Sequence, residues 1–225
     1  MIKDLEQLSF HKCSNMEQWH KERRISATRA SSIMGENAYL SNVDTWSIIT
    51  NKRKETDLEG NPNVQFGLNA EKHIRALFAL EAKGVYDVID PYEFEKDGFR
   101  AVYYNKERPY LTASIDGLVV DKTNGNIGVL EIKTANILSA QHRENWKDGI
   151  PQNYYYQVLH QLLVLGVDYA LLVAYLRYSD YSIMKVYKIV REEKKDDLDK
   201  LLAEEEKFYK DYVLTNKKPP LLINV

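Results

Sequence analysis

A single cysteine, Cys13, stands among the 225 residues. It excludes an internal disulfide and any cysteine-ligated cluster, and a chain so poor in thiols suits a reducing cytoplasm. Five histidines (His11, His20, His73, His142, His160) are scattered without zinc-site spacing. No apolar run approaches the roughly 18 residues of a membrane span. The opening MIKDLEQLSF is charged and lacks the apolar core of a signal peptide. No nucleophile-elbow motif is present. A surplus of charge is missing too: the net charge is −2, without the basic footprint of a nucleic-acid binder. Such a partner requires basic residues gathered on one surface, with the acidic ones elsewhere. The rest is ordinary for a globular chain, with 44% hydrophobic and 28% charged residues, no internal repeat and enough length for a full core.

What is present centres on residues 111–134, LTASIDGLVVDKTNGNIGVLEIKT. β-Branched and apolar residues flank Asn124-Gly125, the strongest short hairpin signal. A two-residue loop there sets Leu118 opposite Glu131 and Asp116 opposite Lys133. Opposed residues share a face, as do residues two apart on one strand. Asp116, Glu131 and Lys133 therefore converge, with Asp116 diagonal to Glu131 at roughly 7–8 Å between backbones. That is close enough for two short carboxylates to reach one hard cation beside an ammonium. A longer turn is expected to change the parity and put Asp116 on the other face, unless a bulge restores it. A surface ion pair, worth ~0–1 kcal/mol, is the simpler alternative. Yet residues 128–132 read as a strand buried on both faces, and charges at the end of such a strand need a partner or a metal.

Around the hairpin the pattern predicts helices in pieces over 16–54. The first carries Trp19 and the pair Arg23-Arg24. The second, TRASSIM, is capped by Ser26 or Thr28 and stopped by Gly35. A third runs from near Asn42 or Asp44 to Lys54, followed by a Gly/Pro/Asn loop. A longer helix over about 64–83, ended by Gly84, has the apolar stripe Gly67, Ala70, Ile74, Leu77, Phe78. Glu71 falls inside that stripe. It either snorkels and pairs with Arg75 at i+4 or breaks the pattern because it serves a site. Strands are expected at 85–94, 99–104, 169–177 and 182–190. Between the last two pairs, an irregular segment precedes a helix from Pro151 to Leu165, stopped by Gly166. Tyr154, Gln157 and Gln161 share one face of it, and for Gln161 the preferred reading is a polar solvent face. A closing helix over about 192–213 turns Leu198, Leu201, Leu202, Phe208 and Tyr212 inward, and its charge run reads as a solvated face. The fold class is α/β: a mixed central β-sheet flanked by helices. One domain covers 1–225, with its core at about 64–190.

With Glu71 on a helix, Asp116 and Glu131-Ile132-Lys133 on a hairpin, and Gln157 on a later helix, the chain resembles a known family. It is similar, over roughly 19–177, to the phage lambda-type exonucleases, the YqaJ viral recombinase family within the PD-(D/E)XK nucleases. WHKERRISATRASSIMG resembles the family's Trp/Arg opening, with Arg24 and Ser31 at its spacing. FGLNAEKHIRALF resembles its Gly-x-x-x-Glu helix, SIDGLV with LEIK its catalytic hairpin, and YYYQVLHQLLVLG its Tyr-x-x-Gln-Val helix. Three departures stand out. Ile115 replaces a proline, and the interval from Trp19 to Arg24 is one residue longer, which keeps Arg23 in competition. Leu159 stands where many relatives carry a second glutamine.

The resemblance implies a restriction-endonuclease-like core with added N- and C-terminal helices. It implies Mg²⁺, with Mn²⁺ able to substitute, held by Asp116, Glu131, the Ile132 carbonyl and Glu71. Lys133 and Gln157 would act on the water and phosphate, and Arg24 and Ser31 would hold a DNA 5′ phosphate. The implied activity is 5′→3′ digestion of duplex DNA from its ends, leaving 3′ overhangs for a single-strand annealing protein. The implied assembly is a ring of three, in the cytoplasm of a bacterial host and encoded by a phage or prophage, with no membrane. A related endonuclease and a non-catalytic DNA-binding module of the same fold are the alternatives.

Overall fold

The computed structural model describes residues 8–56, 58, 60–91, 100–147 and 149–222. Its first elements are short. Strand β1 (Phe10–Cys13) leads into α1 (Met16–Glu22), started by Asn15, whose side chain accepts from the Gln18 N–H at 2.9 Å. A two-residue strand β2 (Ile25–Ser26) runs into α2 (Ala27–Ile33). Helix α3 (Asn42–Ile49) opens on a Ser41/Asp44 capping box and stops five residues before the expected Lys54. Helix α4 (Pro62–Glu81) takes Pro62 in its first turn and Asn61 as its cap. Its buried face is Ile74, Arg75 and Phe78, whereas Leu77, expected inside the stripe, is exposed.

The strands fall into two sheets where the sequence pattern suggests one. Strands β3 (Tyr86–Ile89), β6 (Gly117–Asp121), β7 (Ile127–Asn136), β8 (Tyr169–Arg177) and β9 (Ser182–Val190) form the larger, in the order β3-β6-β7-β8-β9. Only β7 and β8 run parallel there, joined by a crossover that contains α5 (Ala140–Asn145) and α6 (Gln152–Leu165). The smaller sheet has the order β1-β4-β5-β2, with β4 at Arg100–Tyr104 and β5 at Leu111–Ala113. The predicted strand at 99–104 therefore pairs outside the central sheet. The predicted strand at 85–94 stops at Ile89, and its residues 92–94 lie outside the described ones, as does residue 99. The chain passes from one sheet to the other over residues 114–116.

The central hairpin differs from expectation in one measurable way. Its ladder pairs Gly117 with Leu130 and Val120 with Ile127, and the Asp121 N–H reaches the Asn126 carbonyl at 2.9 Å. The loop is therefore 122–125, two residues longer than Asn124-Gly125 alone. Asp121 closes it by accepting from the Thr123 N–H and hydroxyl, and Gly125 takes the left-handed φ of 77° that the turn requires. Lengthening by two preserves parity. Asp116 comes opposite Glu131 instead of Lys133 and stays on the same face.

Both faces of the larger sheet are covered. On one, α4 sets Ile74 and Phe78 against Val119, Leu130, Ile132, Leu171 and Val173, each such burial worth about 1.5–3 kcal/mol. On the other, α6 brings Val158, Leu159 and Leu162 against Leu118, Val129 and Leu172. Gly128 lies so close to the Tyr169 ring that a Cβ there would stand 2.4 Å from it. The closing segment is a 3₁₀ turn (Arg191–Lys194), helix α7 (Lys195–Phe208) and a π-helical turn (Tyr209–Val213). Leu198, Leu201 and Phe208 turn inward as expected, but Glu205 from the charge run is fully buried beside them. No described helix is long and apolar enough to cross a membrane.

Candidate active site

Because β6 ends at Gly117, the edge of β7 beyond Leu130 is left without a strand partner on that side. Asp116 fills the gap with a side chain: its Oδ2 accepts the Ile132 N–H at 2.7 Å. In an extended strand a residue's carbonyl points the same way as its N–H, so the Ile132 carbonyl is aimed at the same opening. Glu131, 3% exposed, lies across from Asp116. Its Oε1 accepts from Gln157 Nε2 and from the Lys133 ammonium, both at 2.5 Å, and its Oε2 accepts from Gln161 Nε2 at 2.5 Å. Lys133 also lies over the Tyr154 ring, 5.1 Å from its centre.

Glu71 reaches this group from α4 on the other side of the sheet. It pairs with Arg75 at 3.1 Å, as the i+4 reading expected, and its negative charge bears on Asp116. Arg75 is buried and gathers three groups, donating to Glu71, to the Asp116 carbonyl at 2.6 Å and to Asp90 at 2.7 Å. It fixes Glu71 relative to the hairpin, a role an i+4 pattern hints at only halfway.

The electrostatics follow from crowding like charges in a dry place. Burial raises the Asp116 carboxyl well above the usual carboxylate range, and the negative charges of Glu131 and Glu71 add to it. Burial raises Glu71 as well, against the opposing pull of Arg75. Burial disfavours the Lys133 ammonium, but Glu131 and Asp116 outweigh it, so its pKa lies above that of an ordinary lysine. Lys133 thus brings a positive charge to the carboxylates, placed to act on water or phosphate. Among the described residues, no three His, Cys, Asp or Glu side chains already converge as a metal cage. Donors instead occupy Glu131 on both oxygens. The donor chemistry still suits a hard cation: carboxylates whose charges crowd Asp116, a carbonyl aimed at the same opening, and no soft ligand.

Gln161 is the clearest correction to the sequence reading. Its face of α6 is turned to the hairpin, not to solvent, and it is fully buried. The 3.6-residue period places Tyr154, Gln157 and Gln161 together, but the side they face is decided by what α6 packs against.

A second cluster adjoins the first through Ser114. The Ser114 hydroxyl accepts the Trp19 indole N–H at 3.1 Å, and its carbonyl accepts from Gln161 at 3.3 Å. Over Trp19 lies the Arg23 guanidinium, 4.1 Å from the ring centre, with Arg100 at 5.4 Å. Arg23 donates to Thr28 at 3.0 Å, and its Nε is buried without a hydrogen-bond partner among the described residues. Its pKa is lowered to about 10 by burial and by Arg29 and Arg100, with Glu55 opposing. Arg29 is buried, bonded to the carbonyls of Arg23 and Arg24 and to Glu55 at 3.1 Å, which holds this bend of the chain rigid. Arg24 instead points out and donates to the Tyr209 hydroxyl at 3.3 Å, and Ser31 is buried with its hydroxyl accepting from Asn37.

Comparison with known proteins fits this geometry. The alkaline exonuclease LHK-Exo from Laribacter hongkongensis superposes with a TM-score of 0.60 at 19% identity, covering 90% of this chain and 97% of that one. Its complex with dAMP gives 0.55 at 20% identity, over 90% and 99%. The likeness is one of fold. In sequence, a Bacillus subtilis protein described as uncharacterized protein YqaJ is 26% identical over 209 residues, 91% of this chain but 59% of that protein. The chain thus spans about three fifths of that relative's length. Residues 17–168, which run from the Trp19 helix through the hairpin and α6, match the YqaJ-like viral recombinase domain, and the chain belongs to that family.

Proposed function

We propose that the protein is a Mg²⁺-dependent nuclease that hydrolyses duplex DNA from its ends. The observation that carries this is the convergence of Asp116, bonded to the Ile132 N–H at 2.7 Å, with buried Glu131, whose Oε1 lies 2.5 Å from the Lys133 ammonium. Asp116, the remaining lone pair on Glu131 Oε2 and the Ile132 carbonyl would hold Mg²⁺, or Mn²⁺ in its place, with Glu71 supporting a second ion or its waters. Bound there, the ion would polarise the phosphate and make water a better nucleophile at neutral pH. Lys133 neutralises charge on the phosphate and orients the attacking water, and Gln157 keeps Glu131 in place while Lys133 does so.

End recognition falls to Arg23, with Arg24 as its competitor. Arg23 is seated on Trp19 next to the hairpin, and its unsatisfied Nε and depressed pKa mark a cation in need of an anion. Its seat supports reading a 5′ phosphate, and with it 5′→3′ polarity and 3′ overhangs. The dAMP complex of the Laribacter enzyme shows that that protein accepts a nucleoside monophosphate. A ring of three copies would let a chain of net charge −2 retain DNA by enclosure, and a single-strand annealing protein would receive the overhang.

Linear duplex, nicked circle and closed circle, each incubated with and without Mg²⁺, test this together. Metal-dependent digestion of linear duplex alone is the expected result. Cutting of the closed circle would move the assignment to an endonuclease, and no cutting at all would leave a DNA-binding module.

A further inference from the structure

We infer that Gln161 is a positioning residue of this site, a single amide that fastens Glu131 to the segment carrying Asp116. Its chemical meaning rests on the nuclease reading above, whereas its placement rests on geometry.

Gln161 has one NH₂ group and spends both hydrogens across the active site. One goes to Glu131 Oε2 at 2.5 Å, the other to the Ser114 carbonyl at 3.3 Å, two residues before Asp116. Glu131 belongs to β7 of the larger sheet, and Ser114 lies in the link between the sheets. One backbone bond, from the Asp116 N–H to the Leu130 carbonyl at 3.3 Å, ties that link to β7, and the amide adds a second tie at Ser114. One helical turn earlier, Gln157 holds the other oxygen of Glu131. The last torsion of a glutamate is soft and roughly two-fold. Two amides on opposite oxygens fix the plane of the carboxylate, and Gln157 with Lys133, both on Oε1, cannot do so alone.

The cost of this arrangement argues that it serves the site. Gln161 Oε1 is buried with no hydrogen-bond partner among the described residues. Flipping the amide would not help, because the oxygen would then face a carboxylate and a carbonyl. Its neighbours Leu159 and Leu162 are fully buried, and an apolar side chain of similar shape fits such surroundings without an orphaned oxygen. A residue chosen only for packing would not be an amide.

The test uses the full chain and two variants, Gln161→Met, which keeps the shape, and Gln161→Asn, which keeps the amide but is too short to reach both partners. Three readings are taken: kcat and KM on linear duplex, the Mg²⁺ concentration at half-maximal rate, and the rise in Tm on adding Ca²⁺ without DNA. Loss of a residue that orients a metal-binding carboxylate costs about 10–100-fold in activity or metal affinity. Both variants are therefore expected to lose kcat in that range with KM for duplex unchanged, and to show a smaller Ca²⁺ shift. A folded variant of either kind with wild-type kcat and an undiminished Ca²⁺ shift overturns the inference. A lowered Tm with unchanged kcat per folded molecule overturns it too, since that is the mark of packing alone. A wild type without metal-dependent hydrolysis would sink the nuclease reading instead, and the Ca²⁺ shift of Gln161→Met against wild type would then decide the clamp by itself.

Discussion

Two clusters of like charge meet at Ser114, and they are mismatched in opposite senses. Around Asp116, Glu131 and Glu71, burial and mutual repulsion push a carboxyl pKa up. Around Arg23, Arg29 and Arg100, burial and repulsion pull a guanidinium pKa down to about 10. A third buried charge group, between α6 and α7, handles charge differently. His160 and Glu205 are both wholly buried, 2.7 Å apart, and the other ring nitrogen of His160 faces the Thr112 carbonyl at 2.9 Å. That pair balances one cation against one anion. The other two clusters are only partly offset, by Lys133 and Arg75 on the carboxylate side and by Glu55 on the guanidinium side. Where the charges serve structure they cancel, and where they adjoin the proposed DNA path they do not.

The sharpest way to break this contrast is to remove negative charge from the first cluster. Asp116→Ala or Glu131→Ala is expected to abolish Mg²⁺-dependent hydrolysis while the fold persists, because relief of repulsion offsets lost contacts. Near-normal metal-dependent activity in either folded variant would remove the carboxylates from the chemistry. The balanced pair should behave in the opposite way. Removing one partner of a buried pair costs about 3–5 kcal/mol, so Glu205→Gln should lower Tm strongly while activity per folded molecule is retained.

The balanced pair also has a pH signature. Burial disfavours the His160 imidazolium, but Glu205 outweighs it, and the folded pKa lies above the ordinary value of 6.5. A raised basic group contributes its full stability below the unfolded pKa of about 6.5. That contribution is lost as pH rises through the higher folded value. Urea titrations should show this decline in the wild type and its absence in Glu205→Gln.

Smaller effects probe the positive cluster and then the margin of the negative one. A charge-assisted bond is worth roughly 1.5–3 kcal/mol, or about 10–150-fold. Wild type should prefer 5′-phosphorylated over 5′-hydroxyl duplex by such a factor, and Arg23→Ala should erase it by slowing the phosphorylated substrate. Loss of preference in Arg24→Ala alone would move the role one residue on. Least in magnitude, Glu71→Gln should raise Tm slightly in metal-free buffer near pH 7. A carboxyl with a raised folded pKa penalises the fold increasingly as pH climbs from its unfolded value through its folded one. A marked fall in Tm would show that the ionised Arg75 pair outweighs repulsion.

Much of the site was legible from residue order because a strand has a period of two. The hairpin loop differs in length from the expected one, yet Asp116, Glu131 and Lys133 still share a face, since the difference is even. Helix-borne residues were harder. Period alone put Gln161 with Gln157 but left open which way the pair turns, and that is settled by α2, α7 and the sheet packing against α6. Glu205 sits in a run of charges whose neighbours are solvated, and only its partner His160, 45 residues earlier, draws it inside. The smaller sheet was illegible for a plainer reason. Strands as short as Ile25–Ser26 carry no periodicity, and their pairing with Leu111 and Thr112 is a long-range fact.

The loop at 122–125 has a consequence for how this chain can change length. Losing or gaining one residue there would exchange the two faces of a strand and send Asp116 to the α4 side of the sheet, away from Gln157 and Gln161. Losing two would return the shorter Asn-Gly turn and leave the faces intact, sliding Asp116 by one pair along β7. Lineages of this hairpin can therefore drift in loop length only by even steps if they are to keep their chemistry, whereas odd steps require a compensating bulge.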